Sequence, residues 1–213
     1  MGLGILQAGI NEVIATTTDP ATGRSNAAPM GIICRNGRIM LRLFHGTHTE
    51  ANIRESGWVV ANLTYDPMVY VETAFGDLSE DAFTEITETK ESAECTKTAA
   101  GGSNISVQMP TSMQRLRSCE AWEAFTTTIV SDNPETLVVE LTPVASGILN
   151  LRPHPPSRAF ANIIEATVHA TRYVVTRDPA LWALIEQSAE LVRKCGGKEH
   201  VDALDLLLTF CHK

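Results

Sequence analysis

The chain changes its hydrophobic period once, at Arg152-Pro153-His154-Pro155-Pro156. Before that run apolar residues recur at alternate positions, the signature of strands. After it they recur every 3.6 residues, the signature of helices. Proline fixes φ and removes an amide donor, so the run ends the strand region and acts as a stiff linker. The expected organisation is a mainly β region over 1–150 and a small C-terminal helical subdomain over 151–213.

In the β region, Leu6–Thr17 is rich in β-branched residues and Asp19-Pro20-Ala21-Thr22-Gly23 has turn chemistry. A polar loop, Arg24-Ser25-Asn26, leads into two strands, Ala28–Cys34 and Arg38–Phe44, joined at Asn36-Gly37, the favoured type I′ pair. A short helix is expected over Glu50–Glu55, with Thr49 as its cap and Gly57 as its stop. Trp58–Leu63 is nearly all apolar and reads as a buried strand. Met68–Phe75 fits either a helix or an extended piece. A strand near Phe83–Ile86 precedes a long polar excursion to Met113, followed by strands within Arg115–Ile129 and Leu137–Leu149. Glu120–Phe125 is ambiguous. Six or seven strands joined largely as hairpins predict a closed or half-closed antiparallel barrel.

Three helices are expected after the linker: Ser157–Val175, Pro179–Lys194 and Lys198–Cys211. Ser157 and Asp178 have cap chemistry and Pro179 sits at the favoured first position. On the first helix, Phe160, Ile163, Ile164, Thr167, Val168, Thr171 and Val174 share one face. Arg158, Asn162, Glu165, His169 and Arg172 share the other. That polar stripe reads either as a solvated face or as a line of substrate-binding groups.

Composition narrows the function. A net charge of −8 with no Lys/Arg cluster argues against a nucleic-acid partner. No apolar run approaches a membrane span, and the N-terminus lacks a basic signal region. The 5 cysteines are scattered without a CxxC, as expected of reduced thiols in a cytoplasmic protein rather than of a metal site. There is no P-loop, GxGxxG or GxSxG. What remains is Phe44-His45-Gly46-Thr47-His48-Thr49. This strand end opens a helix through a Gly/Thr turn, a geometry that offers amides and hydroxyls to a phosphate. His45 and His48 flank the turn, either as surface histidines or as ligand contacts.

Ser25-Asn26-Ala27-Ala28-Pro29-Met30 resembles the Asn-x-Ala-Pro loop of flavin-reductase-like proteins with the FMN-binding split barrel. His48-Thr49-Glu50-Ala51-Asn52-Ile53, followed by Trp58–Asn62, resembles that family's Asp-Thr-x-x-Asn-Ile segment and the strand after it, with His48 in place of the usual Asp. Ile164-Glu165-Ala166-Thr167-Val168-His169-Ala170-Thr171-Arg172 is similar to the tail-helix motif of an archaeal family that has this barrel and a helical extension. The resemblance implies FMN bound at a homodimer interface. It implies that the backbone of Asn26, Ala27, Ala28 and Pro29 lines the isoalloxazine edge. It also implies that Thr47, Thr49 and Asn52 hold the phosphate, and that His45 and Asn62 reach the ribityl chain or phosphate. The implied activity is a flavin-dependent oxidoreductase or flavin reductase using a reduced nicotinamide or deazaflavin donor. The alternatives are a non-catalytic flavin or haem carrier, or a small-ligand binding protein using Arg158, His169 and Arg172.

Overall fold

The computed structural model describes residues 4–86, 113–150 and 152–213. Six strands close an antiparallel barrel in the order β1 (Gly9–Thr18), β2 (Ser25–Arg35), β3 (Arg38–Phe44), β8 (Thr136–Ile148), β7 (Ala121–Asp132) and β4 (Trp58–Leu63), with β4 returning to β1. Helix α1 (His48–Ser56) joins β3 to β4, and α2 (Pro67–Phe75) follows β4. The short strands β5 (Phe83–Glu85) and β6 (Gln114–Leu116) pair with each other. Helices α3 (Arg158–Thr176), α4 (Pro179–Cys195) and α5 (Lys198–Cys211) end the chain.

Alternation along the strands fills the barrel. Val13 and Ala15 of β1, Ile32 and Cys34 of β2, Ile39, Leu41 and Leu43 of β3, Val59 and Ala61 of β4, Phe125 of β7 and Leu137, Val139 and Leu141 of β8 form one buried cluster. The Asn36-Gly37 turn takes positive φ at both residues, 53° and 75°, as a type I′ turn requires. The β2–β3 register runs only from Ile32–Leu41 to Arg35–Arg38, so β2 from Ser25 to Gly31 is paired with β1 alone among the described residues.

Several boundaries differ from the sequence expectation. β2 begins at Ser25, three residues before the expected Ala28, so Ser25 and Asn26 are strand and not loop; Asn26–Pro29 pair with Thr17, Thr16, Ala15 and Ile14 of β1. The residues around Glu120–Phe125 are β7 from Ala121 onward. Met68–Phe75 is helical, because Asp66 accepts a hydrogen bond from the Met68 amide and Pro67 occupies the first turn. The α1 cap is Thr47 and not Thr49: the Thr47 hydroxyl accepts from the Glu50 amide. The polar excursion lies, over 87–112, outside the described residues.

The chain divides into two compact units. One holds described residues within 4–64 and 78–150; the other combines 65–77 with 152–213. The second unit therefore takes α2 from within the stretch expected to be all barrel. Its core joins Val71 of α2 to Ile163, Ala166 and Ala170 of α3, Ile185, Ala189 and Val192 of α4, and Ala203, Leu204 and Leu207 of α5. The buried face of α3 is Ala159, Ile163, Ala166, Thr167 and Ala170, whereas Val168 is exposed. The expected face was rotated toward the bulkier residues; small alanines instead let α4 approach closely. At the α4–α5 connection, a Cβ on Gly196 would meet the Val192 carbonyl at 2.7 Å, so a bulkier residue would force the turn open. No helix among the described residues is long and apolar enough to cross a membrane.

Candidate functional site

The barrel end where β1 finishes and β2 starts is closed by α1. Thr17, Asn26, Thr49 and Asn52 converge there. Asn26 Nδ2 donates to Thr49 Oγ1 at 3.0 Å and reaches Thr17 Oγ1 at 3.5 Å. Asn52 Nδ2 donates to Thr17 Oγ1 at 3.0 Å. Thr17, Thr49 and Asn52 are buried, so these bonds satisfy groups that would otherwise cost stability. Thr49 accepts from Asn26, which leaves its own hydroxyl proton for another acceptor. The His48 and Thr49 amides lie in the first turn of α1, where no intrahelical acceptor exists.

Beside this cluster the Thr18 hydroxyl is buried, at 4% exposure, with no hydrogen-bond partner among the described residues. Its Cα partner across the sheet is Ser25, whose hydroxyl is bonded to Gln114 Oε1. An unpartnered buried hydroxyl is costly, so one calls for an explanation.

An ion cluster locks α1 in place. Arg54 donates to Glu50 at 2.6 Å and to Asp132 at 2.9 Å. His45 Nε2 lies 2.7 Å from the Asn133 carbonyl, and its Nδ1 lies 3.4 Å from Glu50. The Asn133 carbonyl, and then Glu50 and Asp132, raise the His45 pKa. The Arg54 hydrogen bond holds Glu50 below the usual carboxylate range, and the same guanidinium lowers Asp132. Two acceptors around one ring favour the imidazolium, so His45 ties the β7–β8 turn to α1.

The structure therefore sorts the expected site residues. Asn26, Thr49 and Asn52 come together. Ala27, Ala28 and Pro29 lie in β2, on the stretch whose second edge has no strand partner among the described residues, and their small side chains leave the backbone approachable. Thr47 is committed as the helix cap, and its hydroxyl also donates to the Phe44 carbonyl at 3.0 Å. Asn62 is fully engaged elsewhere: its Nδ2 donates to the Ile14 carbonyl and Thr16 Oγ1, and its Oδ1 accepts from the Leu116 amide. It pins β6 to the barrel wall. In the second unit, Arg158 and Arg172 are exposed on α3, and His169 Nε2 lies 3.9 Å from Glu165. His154 stacks on Tyr65 with centroids 3.8 Å apart. Thr17, Thr18 and Gln114 were not singled out from sequence. The run Thr16-Thr17-Thr18 looked like β propensity alone. The pattern Thr47-His48-Thr49-Glu50 did carry the capping signal that would have placed the helix start.

Two family models match, "Protein of unknown function (DUF447) N-terminal domain" over residues 11–150 and "Protein of unknown function (DUF447)" over residues 157–209. The chain belongs to the DUF447 family. An FMN-bound DUF447 protein from Methanosarcina mazei has a similar structure, with TM-score 0.80 and 30% identity, covering 96% of each chain. The fold of this DUF447 chain is thus the FMN-binding split barrel followed by a helical extension. Weaker likenesses include a flavoredoxin from Methanosarcina acetivorans, with TM-score 0.43, 11% identity and coverage of 70% of this chain and 76% of that one. They also include the bacterial flavin reductase BorF, with TM-score 0.46, 11% identity and coverage of 70% and 86%. At those scores neither bears on the chemistry of the DUF447 site.

Proposed function

We propose that this protein binds FMN at the α1 end of its barrel and works as a flavin-dependent oxidoreductase or flavin reductase. The observation that carries the reading is the likeness, over 96% of both chains, to an FMN-bound relative. The residues present fit the group. A phosphate placed at the start of α1 meets the His48 and Thr49 amides and the free proton of the Thr49 hydroxyl, and the helix dipole favours its charge. Thr18 offers a buried hydroxyl that lacks a partner among the described residues. The edge of β2 at Asn26–Gly31, unpaired among the described residues, would offer backbone groups to the rim of a flat ring, with Ala27 and Ala28 presenting little bulk.

A bound flavin supplies the electron transfer, and the protein positions it. Asn26 bonds the Thr49 hydroxyl and Asn52 bonds that of Thr17, while the Arg54–Glu50–Asp132–His45 cluster holds α1. None of Thr17, Asn26, Thr49 and Asn52 titrates near neutral pH, so these side chains orient and bind without moving protons. That same observation favours the second reading, a flavin carrier without a reaction of its own. A homodimer is part of the proposal. It rests on the family resemblance, which implies FMN bound at a subunit interface.

The test is spectroscopic. The purified protein, incubated with FMN and desalted, should retain about one flavin per chain and show a shifted flavin spectrum. Anaerobic NADH, NADPH or a reduced deazaflavin should then bleach it. Retention without bleaching by any donor selects the carrier, and no retention removes the reading altogether.

A further inference from the structure

The opposite end of the barrel is closed by a strap, residues 4–7. Leu6 enters the barrel core at 4% exposure, and Ile5 packs against the same cluster. Two polar latches hold the strap. The Gln7 amide donates to Asn11 Oδ1 at 2.9 Å, and Asn11 Nδ2 returns a bond to the Gln7 carbonyl at 2.8 Å. The Ile5 amide donates to Glu123 Oε2 at 3.1 Å. The backbone wraps this carboxylate closely. Gly4 has φ +63°, and a Cβ there would lie 2.2 Å from Glu123 Oε1.

Glu123 is out of place in a barrel. It is 2% exposed, and its strand neighbours are Ala61 and Ser146. Among the described residues the titratable group nearest to it in effect is the Cys34 thiol of β2, itself 1% exposed, whose pKa burial and then Glu123 push up. Asn11 of β1 sits beside that thiol at 3.6 Å. Glu12, the acidic residue next in β1, lies beside Gly31 instead. Among the described residues no cation contributes to the titration of Glu123, and the Ile5 amide alone favours its ionised form. A sealed carboxyl with one amide donor is stable as the neutral acid. Once ionised, it gains by being opened to water.

We propose that residues 4–7 are a proton-gated strap, closed over the barrel end while Glu123 is neutral and released from that end when Glu123 ionises. Burial raises the Glu123 pKa to about 7 from 4.5, which puts the transition near neutrality. The sign follows from linkage. A raised pKa in the closed form gives a closing tendency that is full below 4.5 and lost as pH rises through about 7. Opening uncovers Cys34, which serves as a reporter. The inference is independent of flavin binding, which concerns the α1 end.

The experiment is peptide-resolved alkylation of the full chain between pH 5 and pH 8, with Cys34 normalised to the exposed Cys195 in the same sample. The relative labelling of Cys34 should rise on the order of 50-fold across that range. Glu123→Gln keeps an acceptor for Ile5 and removes the charge, so labelling should stay low and flat. Gly4→Ala pushes a methyl into the carboxylate and should label readily even at pH 5. Amide protection factors of β4, with exchange corrected for its intrinsic pH dependence, should not change with pH in the native protein. A Cys34 rate that is flat in the native protein overturns the proposal. So does a rise in relative labelling that survives Glu123→Gln, or one matched by lower protection factors throughout β4, because that would be loosening of the whole barrel. If Glu123→Gln does not fold, Gly4→Ala against the native protein decides: equal labelling at pH 5 contradicts the strap.

Discussion

The two ends of this barrel are closed by different chemistry. At the α1 end, uncharged hydroxyls and amides pair with one another and leave a donor and a buried hydroxyl to spare among the described residues, while the charges of His45, Glu50, Arg54 and Asp132 balance one another in a separate cluster. At the strap end, one carboxyl is sealed among apolar residues with a single amide donor. Spare donors held rigidly suit an anionic ligand, whereas a carboxyl without a countercharge suits a proton. The difference teaches that burial of a polar group is informative only together with its unmet hydrogen bonds.

The largest effect should come from Thr49→Val. It removes the hydroxyl assigned to the phosphate, and hydrogen bonds to charged groups are worth about 1.5–3 kcal/mol, so FMN affinity should fall about 10- to 100-fold in a fluorescence titration. Gly4→Ala at the other end should leave that affinity unchanged. Equal losses from both would dissolve the contrast between the ends.

Glu123→Gln comes next. The Glu123 pKa near 7 means that its burial costs stability once it ionises, at most about 3 kcal/mol by the size of the shift. The variant should therefore be more stable than the native protein at pH 8, by about 1–3 kcal/mol in urea unfolding, and nearly equal to it at pH 5. A destabilised variant at pH 8 would mean that the ionised carboxylate has a partner.

Asn52→Leu should cost about 1–3 kcal/mol, because it leaves Thr17 Oγ1 without its 3.0 Å donor in a buried setting. The smallest effect belongs to His45. Its pKa is raised, so the stability it adds is full below the ordinary histidine value of 6.5 and fades as pH rises through the raised value. His45→Asn should flatten that part of the thermal-melting profile above pH 6 and leave the Glu123 part in place.

Much of the barrel was legible because its signals are local. Asn36-Gly37 fixes a tight hairpin by its φ values, Gly57 stops α1 in a left-handed conformation, and Trp58–Leu63 is apolar enough to be read as a two-face strand. That Asn26, Thr49 and Asn52 come together was within reach for the same reason, since they flank a recognisable turn and helix. What stayed hidden depends on contacts between residues far apart in sequence. Asn62 reads as a site residue until Leu116, 54 positions away, is seen on its oxygen. His45 reads as a ligand contact until Asn133 is found on its ring. Glu123 reads as an ordinary polar position in an amphipathic strand; only the 118-residue closure to Ile5 reveals its burial. On α3 the alanines carried the packing, and residue hydrophobicity gave them too little weight.

The most direct measurement of the central claim is FMN retention by the purified, desalted protein, compared between the native chain, Thr49→Val and Gly4→Ala. About one flavin per chain should remain on the native protein and on Gly4→Ala, and little on Thr49→Val. A native protein that takes up no FMN, or a Thr49→Val variant that holds it as tightly as the native chain, would contradict the placement of the flavin at the α1 end.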